Sequence, residues 1–134
     1  MTVTTISSGK KVLVVDDVAV NRKLAMVIFT KLGWQPTEVD GGHAALAWLA
    51  NNQAVDLVLL DISMPDLCGE DVCRQLRVDP VFSKLPIVAY TAHAMQVDIE
   101  RFLANGFNAV LVKPISMLGL KDVVNGLFPS LDPY

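Results

Sequence analysis

The chain has 134 residues, the size of one ordinary domain, which is enough to bury a hydrophobic core without disulfides or structural metals. Its composition is 52% hydrophobic and 19% charged, which excludes a disordered chain. The net charge of −3 argues against direct nucleic-acid binding, because such proteins present a basic surface. No apolar run approaches the roughly 18 residues that cross a bilayer, so no membrane contact is expected.

The two ends of the chain are predicted to be tails. Residues 1–10 are rich in Ser and Thr and have no apolar core, so they are a predicted flexible tail rather than a signal peptide. Residues 130–134 form a second predicted tail, which leaves 11–129 as a single domain. Cys68 and Cys73 lie in one predicted helix, about 140° apart around its axis, which suits neither a disulfide nor a shared metal. Two free thiols fit a protein of the reducing cytoplasm.

Short apolar runs alternate with amphipathic helical patterns along the chain. Near-continuous apolar runs are typical of strands covered on both faces of a parallel sheet. The predicted strands are, in chain order, Val12–Val15, a weaker edge strand Pro36–Val39, Val55–Leu60, Leu85–Tyr90 and Ala109–Val112. The predicted helices lie around Leu24–Leu32, Ala44–Leu49, Val72–Leu76, Met95–Leu103 and Leu120–Phe128. In the fourth helix, Met95 and Phe102 are predicted to face the core.

Five consecutive strand–helix units define the fold class. Right-handed crossovers force such a chain into an α/β fold, a doubly wound parallel sheet with helices on both faces. Two strand orders are common in this class. Both place ligands beyond the carboxyl ends of the strands, where the strand order reverses. Chemistry is therefore expected at that edge of the sheet.

Charged and polar residues stand at the carboxyl ends of four predicted strands. The first strand ends in Asp16 and Asp17, the third in Asp61, the fourth in Thr91 and the fifth in Lys113. Neighbouring strands lie about 4.8 Å apart, so acids on adjacent strands repel by about 3 kcal/mol at an effective dielectric of roughly 20. One lysine does not neutralise three carboxylates, whereas a shared divalent cation offsets more of their charge. The strand ends predict an open Mg²⁺ site beside a nucleophilic carboxylate.

The same strand ends carry four short motifs, namely Asp16-Asp17, DISMPDLCG from Asp61 to Gly69, Thr91-Ala92 and Lys113-Pro114. In this order they resemble the signature of response-regulator receiver domains, over about residues 10–128. The resemblance implies the flavodoxin-like strand order 2-1-3-4-5. Asn21-Arg22 and the stretch TAHAM are similar to receiver domains of hybrid sensor histidine kinases. Whether the chain is a stand-alone regulator or one domain of a longer kinase stays open.

The resemblance also implies a metal and a nucleophile. Asp61 would be the phosphoacceptor that attacks a phosphohistidine of a histidine kinase or a histidine phosphotransfer protein. Asp17 and Asp61 would bind Mg²⁺, joined by Asp16 mainly through a water and by the backbone carbonyl of Ser63. The chain would then be a signalling phosphoacceptor rather than an enzyme with external substrates. Gly69 is predicted to permit a tight backbone approach near Asp61.

Thr91 and Lys113 would each contact a phosphoryl oxygen, and the peptide bond between Lys113 and proline would be cis. Val110 departs from the family pattern, in which an aromatic residue at that position commonly moves inward together with the threonine. Tyr90 is the nearest aromatic in sequence, but strand alternation points its side chain away from that of Thr91. Either Thr91 acts through loop and helix movement, or the domain is a relay that needs little conformational output.

Three other functions are weighed against this one. A flavin-binding module needs a neutral, hydroxyl- or glycine-rich loop after the first strand, where this chain has acids. A phosphohydrolase of the haloacid-dehalogenase type carries a second acid two residues after the nucleophile, and that position is Ser63 here. A degenerate receiver that docks partners without phosphorylation stays open because of Val110. His43 and His93 are interpreted as surface residues, with His93 and Ser63 placed to tune the lifetime of an acyl phosphate.

Overall fold

The computed structural model describes residues 9–129, and these form five strands and five helices. The strands are β1 (Lys11–Val15), β2 (Gln35–Val39), β3 (Leu57–Asp61), β4 (Ile87–Thr91) and β5 (Ala109–Val112). The helices are α1 (Ala19–Lys31), α2 (Gly42–Ala50), α3 (Gly69–Arg77), α4 (Gln96–Ala104) and α5 (Met117–Leu127). All strands are parallel and lie in the order β2-β1-β3-β4-β5, so the predicted flavodoxin-like fold is confirmed. The predicted tails fall largely on residues 1–8 and 130–134, which lie outside the described residues.

The sheet separates two hydrophobic clusters, because alternate residues of each strand point to opposite faces. One cluster contains Leu13 and Leu60 with buried residues of α2, α3 and α4, including Phe102. The other contains Val14 and Leu59 with buried residues of α1 and α5. All residues of β3 and β4 are buried, which explains their near-continuous apolar sequences.

The predicted edge strand is confirmed as β2. The backbone N–H of Gln35 donates to the carbonyl of Lys10, so Gln35 points its N–H toward the β1 side. Pro36, the next residue, therefore has its nitrogen on the outer edge of the sheet, where the missing N–H removes no ladder hydrogen bond.

The third and fourth strands each begin two residues later than predicted and end one residue later. Asp61 and Thr91 are the last residues of β3 and β4, the strand ends at which the sequence placed them. The strand backbone thus fixes the Cα positions of both residues, and their side chains stand at the edge of the sheet.

Two residues that the sequence placed inside helices lie just before them. The carboxylate of Asp98 accepts the backbone N–H of Met95, so α4 begins after Met95, whose side chain is 71% exposed and not part of the core. Phe102 is buried, as predicted. Cys68 precedes α3 as its N-cap, so it does not share the helix with Cys73, and both thiols are free. The longest helix described, α1, has only 13 residues, and none of the helices within residues 9–129 could span a bilayer.

Candidate functional site

Three carboxylates converge at the carboxyl edge of the sheet, between β1 and β3. Asp16 and Asp17 directly follow β1, and Asp61 ends β3, the strand paired with β1. Carboxylate oxygens of the three residues all lie within 4.8 Å of one another. Strand order reverses at β1, so this is the crevice in which doubly wound sheets bind ligands.

Lys113 reaches this cluster from the loop after β5. Its Nζ lies 3.1 Å from Asp16 Oδ2 and 3.1 Å from Asp61 Oδ1, and both acids are buried. The peptide bond between Lys113 and Pro114 is cis, as the resemblance implied. One ammonium therefore faces two buried carboxylates, with the exposed Asp17 beside them.

The pKa values of Asp61 and Lys113 reflect this excess of negative over positive charge. Burial, and then the charge of Asp16, raise the pKa of Asp61 to about 6, although Lys113 acts in the opposite direction. Burial alone would lower the pKa of Lys113, but its contacts with Asp16 and Asp61 outweigh burial and raise that pKa. Lys113 is therefore a cation at neutral pH, and Asp61 is ionised there but easily protonated in mild acid.

The donor set fits a divalent cation. Asp61 Oδ1 accepts the backbone N–H of Ser63 as well as contacting Lys113, whereas Asp61 Oδ2 is buried and accepts no hydrogen bond from the residues described. A buried carboxylate oxygen without a partner is costly unless a cation or water meets it. Asp61 Oδ2 together with oxygens of Asp16 and Asp17 forms the all-oxygen carboxylate set that Mg²⁺ prefers.

Arg22 fixes the loop that carries the acidic pair. Its guanidinium donates to the backbone carbonyl of Asp16 at 3.0 Å and to Glu38 Oε1 at 2.9 Å. Asp16 Oδ1 also accepts the backbone N–H of Val18, which turns the chain into α1. The resemblance pointed to Arg22 only as part of a motif. Its contact with Glu38 depends on the position of β2, which sequence spacing does not reveal.

Gly69 lies against the backbone of Asp61. A Cβ at this position would overlap the Asp61 carbonyl oxygen, so the predicted close approach is confirmed. The N–H of Gly69 donates to the carbonyl of Ile62 at 2.9 Å, which closes the β3–α3 loop over this point. The absence of a side chain at Gly69 lets the loop carrying Ser63 fold back beside the cluster.

Thr91 ends the neighbouring strand with its hydroxyl turned toward its own loop. The hydroxyl donates to the carbonyl of His93 at 3.0 Å and accepts the N–H of His93 at 3.1 Å. Val110 packs against the cluster that contains Ala89, whereas Tyr90 lies in the cluster on the opposite face. The structure therefore places Thr91 at the same edge as the carboxylates, with its hydroxyl already hydrogen-bonded.

The two histidines lie outside the carboxylate cluster. His43, in the first turn of α2, and His93, in the β4–α4 loop, are both exposed, as the sequence predicted. Among residues 9–129, the acidic group at the sheet edge is the one set of His, Cys, Asp and Glu side chains close enough to hold a metal.

A family model described as the response regulator receiver domain matches residues 12–125. The chain belongs to this family. The matched range contains all six predicted site residues, namely Asp16, Asp17, Asp61, Ser63, Thr91 and Lys113.

Known relatives of this receiver domain differ widely in the share of their own length that it covers. It is 37% identical over 121 residues to the sensor protein GacS of Pseudomonas syringae pv. syringae, covering 88% of this chain and 13% of GacS. Hybrid signal transduction histidine kinase I of Dictyostelium discoideum is 37% identical over 123 residues, covering 87% of this chain and 7% of the kinase. The polar-differentiation response regulator DivK of Brucella anthropi is 35% identical over 108 residues, covering 81% of this chain and 87% of DivK. The receiver domain thus spans a small part of the first two proteins and most of the third.

Solved structures share its fold. The receiver domain of sensor histidine kinase PA1611 from Pseudomonas aeruginosa, described with a magnesium ion coordinated in its active-site cleft, has a TM-score of 0.79. Identity is 32%, over 88% of this chain and 96% of that one. Chemotaxis protein CheY4 of Vibrio cholerae has a TM-score of 0.82 at 24% identity, over 89% of this chain and 98% of that one, a likeness of fold alone.

Proposed function

We propose that this receiver domain is a phosphoacceptor of a two-component or phosphorelay system, with Asp61 receiving the phosphoryl group. The observation that supports the proposal most directly is the state of the Asp61 carboxylate. One oxygen contacts Lys113, and the other is buried without a hydrogen-bond partner among the described residues, within a cluster of three carboxylates. A structural carboxylate would have both oxygens satisfied.

The reaction is transfer of a phosphoryl group from a phosphohistidine. A carboxylate oxygen of Asp61 attacks phosphorus, a P–O bond forms, and the P–N bond breaks. The electron pair of that bond stays on the imidazole nitrogen, which takes up a proton. The product is an acyl phosphate on Asp61, which carries more negative charge than the carboxylate and has three acceptor oxygens.

The residues around Asp61 have distinct roles in this scheme. Lys113, which contacts Asp61 Oδ1 in the unphosphorylated state, pairs with an oxygen of the phosphoryl group attached there. Thr91 donates its hydroxyl hydrogen to another phosphoryl oxygen, which requires it to give up the carbonyl of His93. Thr91 thereby links phosphorylation to the conformation of the β4–α4 loop.

Mg²⁺ is the cofactor we propose for the acidic cluster. Asp16, Asp17, Asp61 and the backbone carbonyl of Ser63 would hold it, with Asp16 acting mainly through a water. When bound, Mg²⁺ supplies positive charge that offsets the negative charge of the transferring group. The metal-bearing PA1611 receiver domain, at 32% identity, supports this assignment.

The proposed partner is a histidine kinase or a histidine phosphotransfer protein. The likeness to a sensor protein and to a hybrid histidine kinase supports a partner of this class. We propose residues 11–129 as the functional unit and the cytoplasm as its compartment, where free thiols such as Cys73 persist. A docking module that works without phosphorylation is the second candidate, favoured only by Val110 at the usual aromatic position.

The test is labelling by a small phosphodonor. The protein is incubated with phosphoramidate, with Mg²⁺ or with a chelator, and its intact mass is followed over time beside Asp61→Asn. We expect one phosphoryl adduct that requires Mg²⁺ and is absent in the variant. Equal labelling of Asp61→Asn would refute the assignment of the phosphoacceptor, and no adduct under any condition would favour the docking module.

A further inference from the structure

Tyr90 lies directly beneath the charged cluster. It is the penultimate residue of β4, 1% exposed, and its Cα pairs with Asp61 on one side and with Leu111 on the other. Paired residues of neighbouring parallel strands point to the same face of a sheet. Tyr90 therefore shares a face with Asp61, whereas Thr91 follows on the opposite face.

The ring of Tyr90 contacts the site lysine. The Nζ of Lys113 lies 4.9 Å from the ring centroid, within the range of a cation–π interaction. The same Nζ lies 3.1 Å from both Asp16 Oδ2 and Asp61 Oδ1. The ammonium is therefore held between one aromatic face and two carboxylates, all of which attract positive charge.

The hydroxyl of Tyr90 lies near the backbone of the same segment. Burial raises the pKa of the Tyr90 phenol, whereas the nearby backbone N–H of Ile115, two residues beyond Lys113, acts in the opposite direction. The ring contacts the end of the lysine side chain, so the ring is the part of Tyr90 that acts on Lys113. Full burial leaves the ring itself little freedom to move.

We propose that Tyr90 is a positioning residue for Lys113 in the phosphoryl transfer, an inference that rests on the proposed function of Asp61. A lysine side chain has four rotatable bonds and loses much conformational freedom when it is held in one place. Tyr90 limits the positions of the ammonium to those next to Asp61 before any phosphoryl group arrives. The aromatic residue next to this site is thus Tyr90, a buried residue of β4. Strand β5 has Val110 at the position where the family commonly has an aromatic residue.

The test compares two variants of Tyr90 with a matched control. Tyr90→Leu removes the ring and the hydroxyl, and Tyr90→Phe keeps the ring alone. Phe29→Leu removes an equally buried ring from the same hydrophobic cluster, where Phe29 contacts Trp34 rather than the charged site. Labelling by phosphoramidate is measured at saturating Mg²⁺, and at a temperature where circular dichroism shows all variants folded.

We expect Tyr90→Leu to be labelled roughly five-fold more slowly than the wild type, with its Mg²⁺ affinity in calorimetry changed by less than about two-fold. Tyr90→Phe should recover most of the rate, and Phe29→Leu should match the wild type. Wild-type labelling of Tyr90→Leu, or an equal loss in Phe29→Leu, would overturn the proposal.

A second measurement does not depend on phosphorylation. In ¹H–¹³C NMR spectra, the ε-protons of Lys113, assigned by their loss in Lys113→Arg, should be shifted upfield by the ring in the wild type and in Tyr90→Phe. They should return to ordinary lysine values in Tyr90→Leu. Unchanged shifts in Tyr90→Leu would refute the contact. A wild type that shows these shifts but is not labelled would refute the proposed function and leave the packing of Lys113 on Tyr90 established.

Discussion

At the scale of single residues, the site depends on one half-buried cation shared by two buried acids. Lys113 is 17% exposed, and it is the neighbour that compensates Asp16 and Asp61 within the described part of the chain. Removing one member of a buried ionic group is costly because the remaining charges stay uncompensated. The stability of the metal-free domain and the chemistry of the site are therefore coupled through Lys113.

The first prediction concerns Lys113→Met. Without Mg²⁺ at pH 7, we expect the free energy of unfolding to fall by about 3 kcal/mol, because two buried carboxylates lose their cation. Mg²⁺ should still bind and should restore part of the stability, while labelling by a phosphodonor weakens. Urea denaturation with Mg²⁺ or chelator measures both effects, with the exposed Lys121→Met as control. Loss of Mg²⁺ binding in Lys113→Met would contradict the role assigned to this lysine.

The second prediction follows from the pKa of Asp61, which is about 6 against an ordinary value of 3.8. Asp61 binds a proton more tightly in the folded state than in the unfolded state, so its protonation stabilises the folded state. This contribution to the free energy of unfolding is fully present below about pH 4 and is lost as the pH rises to about 6. Asp61→Asn has no such loss, so in metal-free buffer it should become more stable than the wild type by up to about 3 kcal/mol between pH 4 and 7. A constant difference across this range would contradict the shift.

The third prediction concerns Gly69→Ala. The added methyl group would overlap the Asp61 carbonyl oxygen, so β3 or its loop must move, at a cost of about 1–3 kcal/mol. Labelling should slow as well, since the displaced residue is the proposed phosphoacceptor. Gly126→Ala is the matched control, because a Cβ there meets nothing within 4 Å and the residue lies in a helix. Denaturation midpoints that rise in both variants would show that the β3–α3 loop tolerates the methyl group.

At the scale of elements, the β3–α3 loop, which begins directly after Asp61, also caps the N-terminus of helix α2. Helix α2 begins with Gly41 as N-cap, which has no side chain to accept its first N–H groups. Asp66, from the β3–α3 loop, accepts the N–H of Gly42 at 3.2 Å and that of His43 at 3.0 Å. These hydrogen bonds, led by the one from His43, lower the pKa of Asp66. A carboxylate at this position also interacts favourably with the helix dipole.

The fourth prediction tests this contact. Asp66→Ala should lower the melting temperature by roughly a few degrees, because α2 loses its cap and the β3–α3 loop loses its anchor. Asp66→Asn keeps an acceptor oxygen without the charge and should lie between the wild type and Asp66→Ala. Hydrogen exchange should localise the loss of protection to the first turn of α2 and to the loop. Unchanged hydrogen exchange in these two segments would contradict the capping of α2 by Asp66.

The same elements show which structural features the sequence reveals. Strands β1, β3 and β4 were predictable because a strand covered on both faces must be apolar, as in Val12–Val15. Helix starts were less predictable where the capping group decides them. Met95 follows the apolar spacing of α4 but lies outside it, because Asp98 binds its N–H. The cap of α2 comes from Asp66, which is distant in sequence, so no local pattern records it.

At the scale of the whole molecule, the fold gathers residues from the carboxyl ends of four strands at one edge of the sheet. That convergence was predictable, since parallel strands bring their carboxyl ends together and the residues at those ends are in the sequence. The contacts inside the cluster were not. The bridging of Asp16 and Asp61 by Lys113, the bond from Thr91 to His93 and the packing of Tyr90 depend on side-chain conformations that spacing does not determine.

The central claim is that the phosphoryl group is carried by Asp61, and the most direct measurement locates the acyl phosphate itself. The protein is phosphorylated with phosphoramidate and Mg²⁺, treated with borohydride, which reduces an aspartyl phosphate to homoserine, and digested for tandem mass spectrometry. We predict homoserine at position 61 and at no other aspartate, and none in Asp61→Asn. Homoserine at Asp16 or Asp17, or its complete absence from a protein that has gained phosphate, would contradict the proposed function.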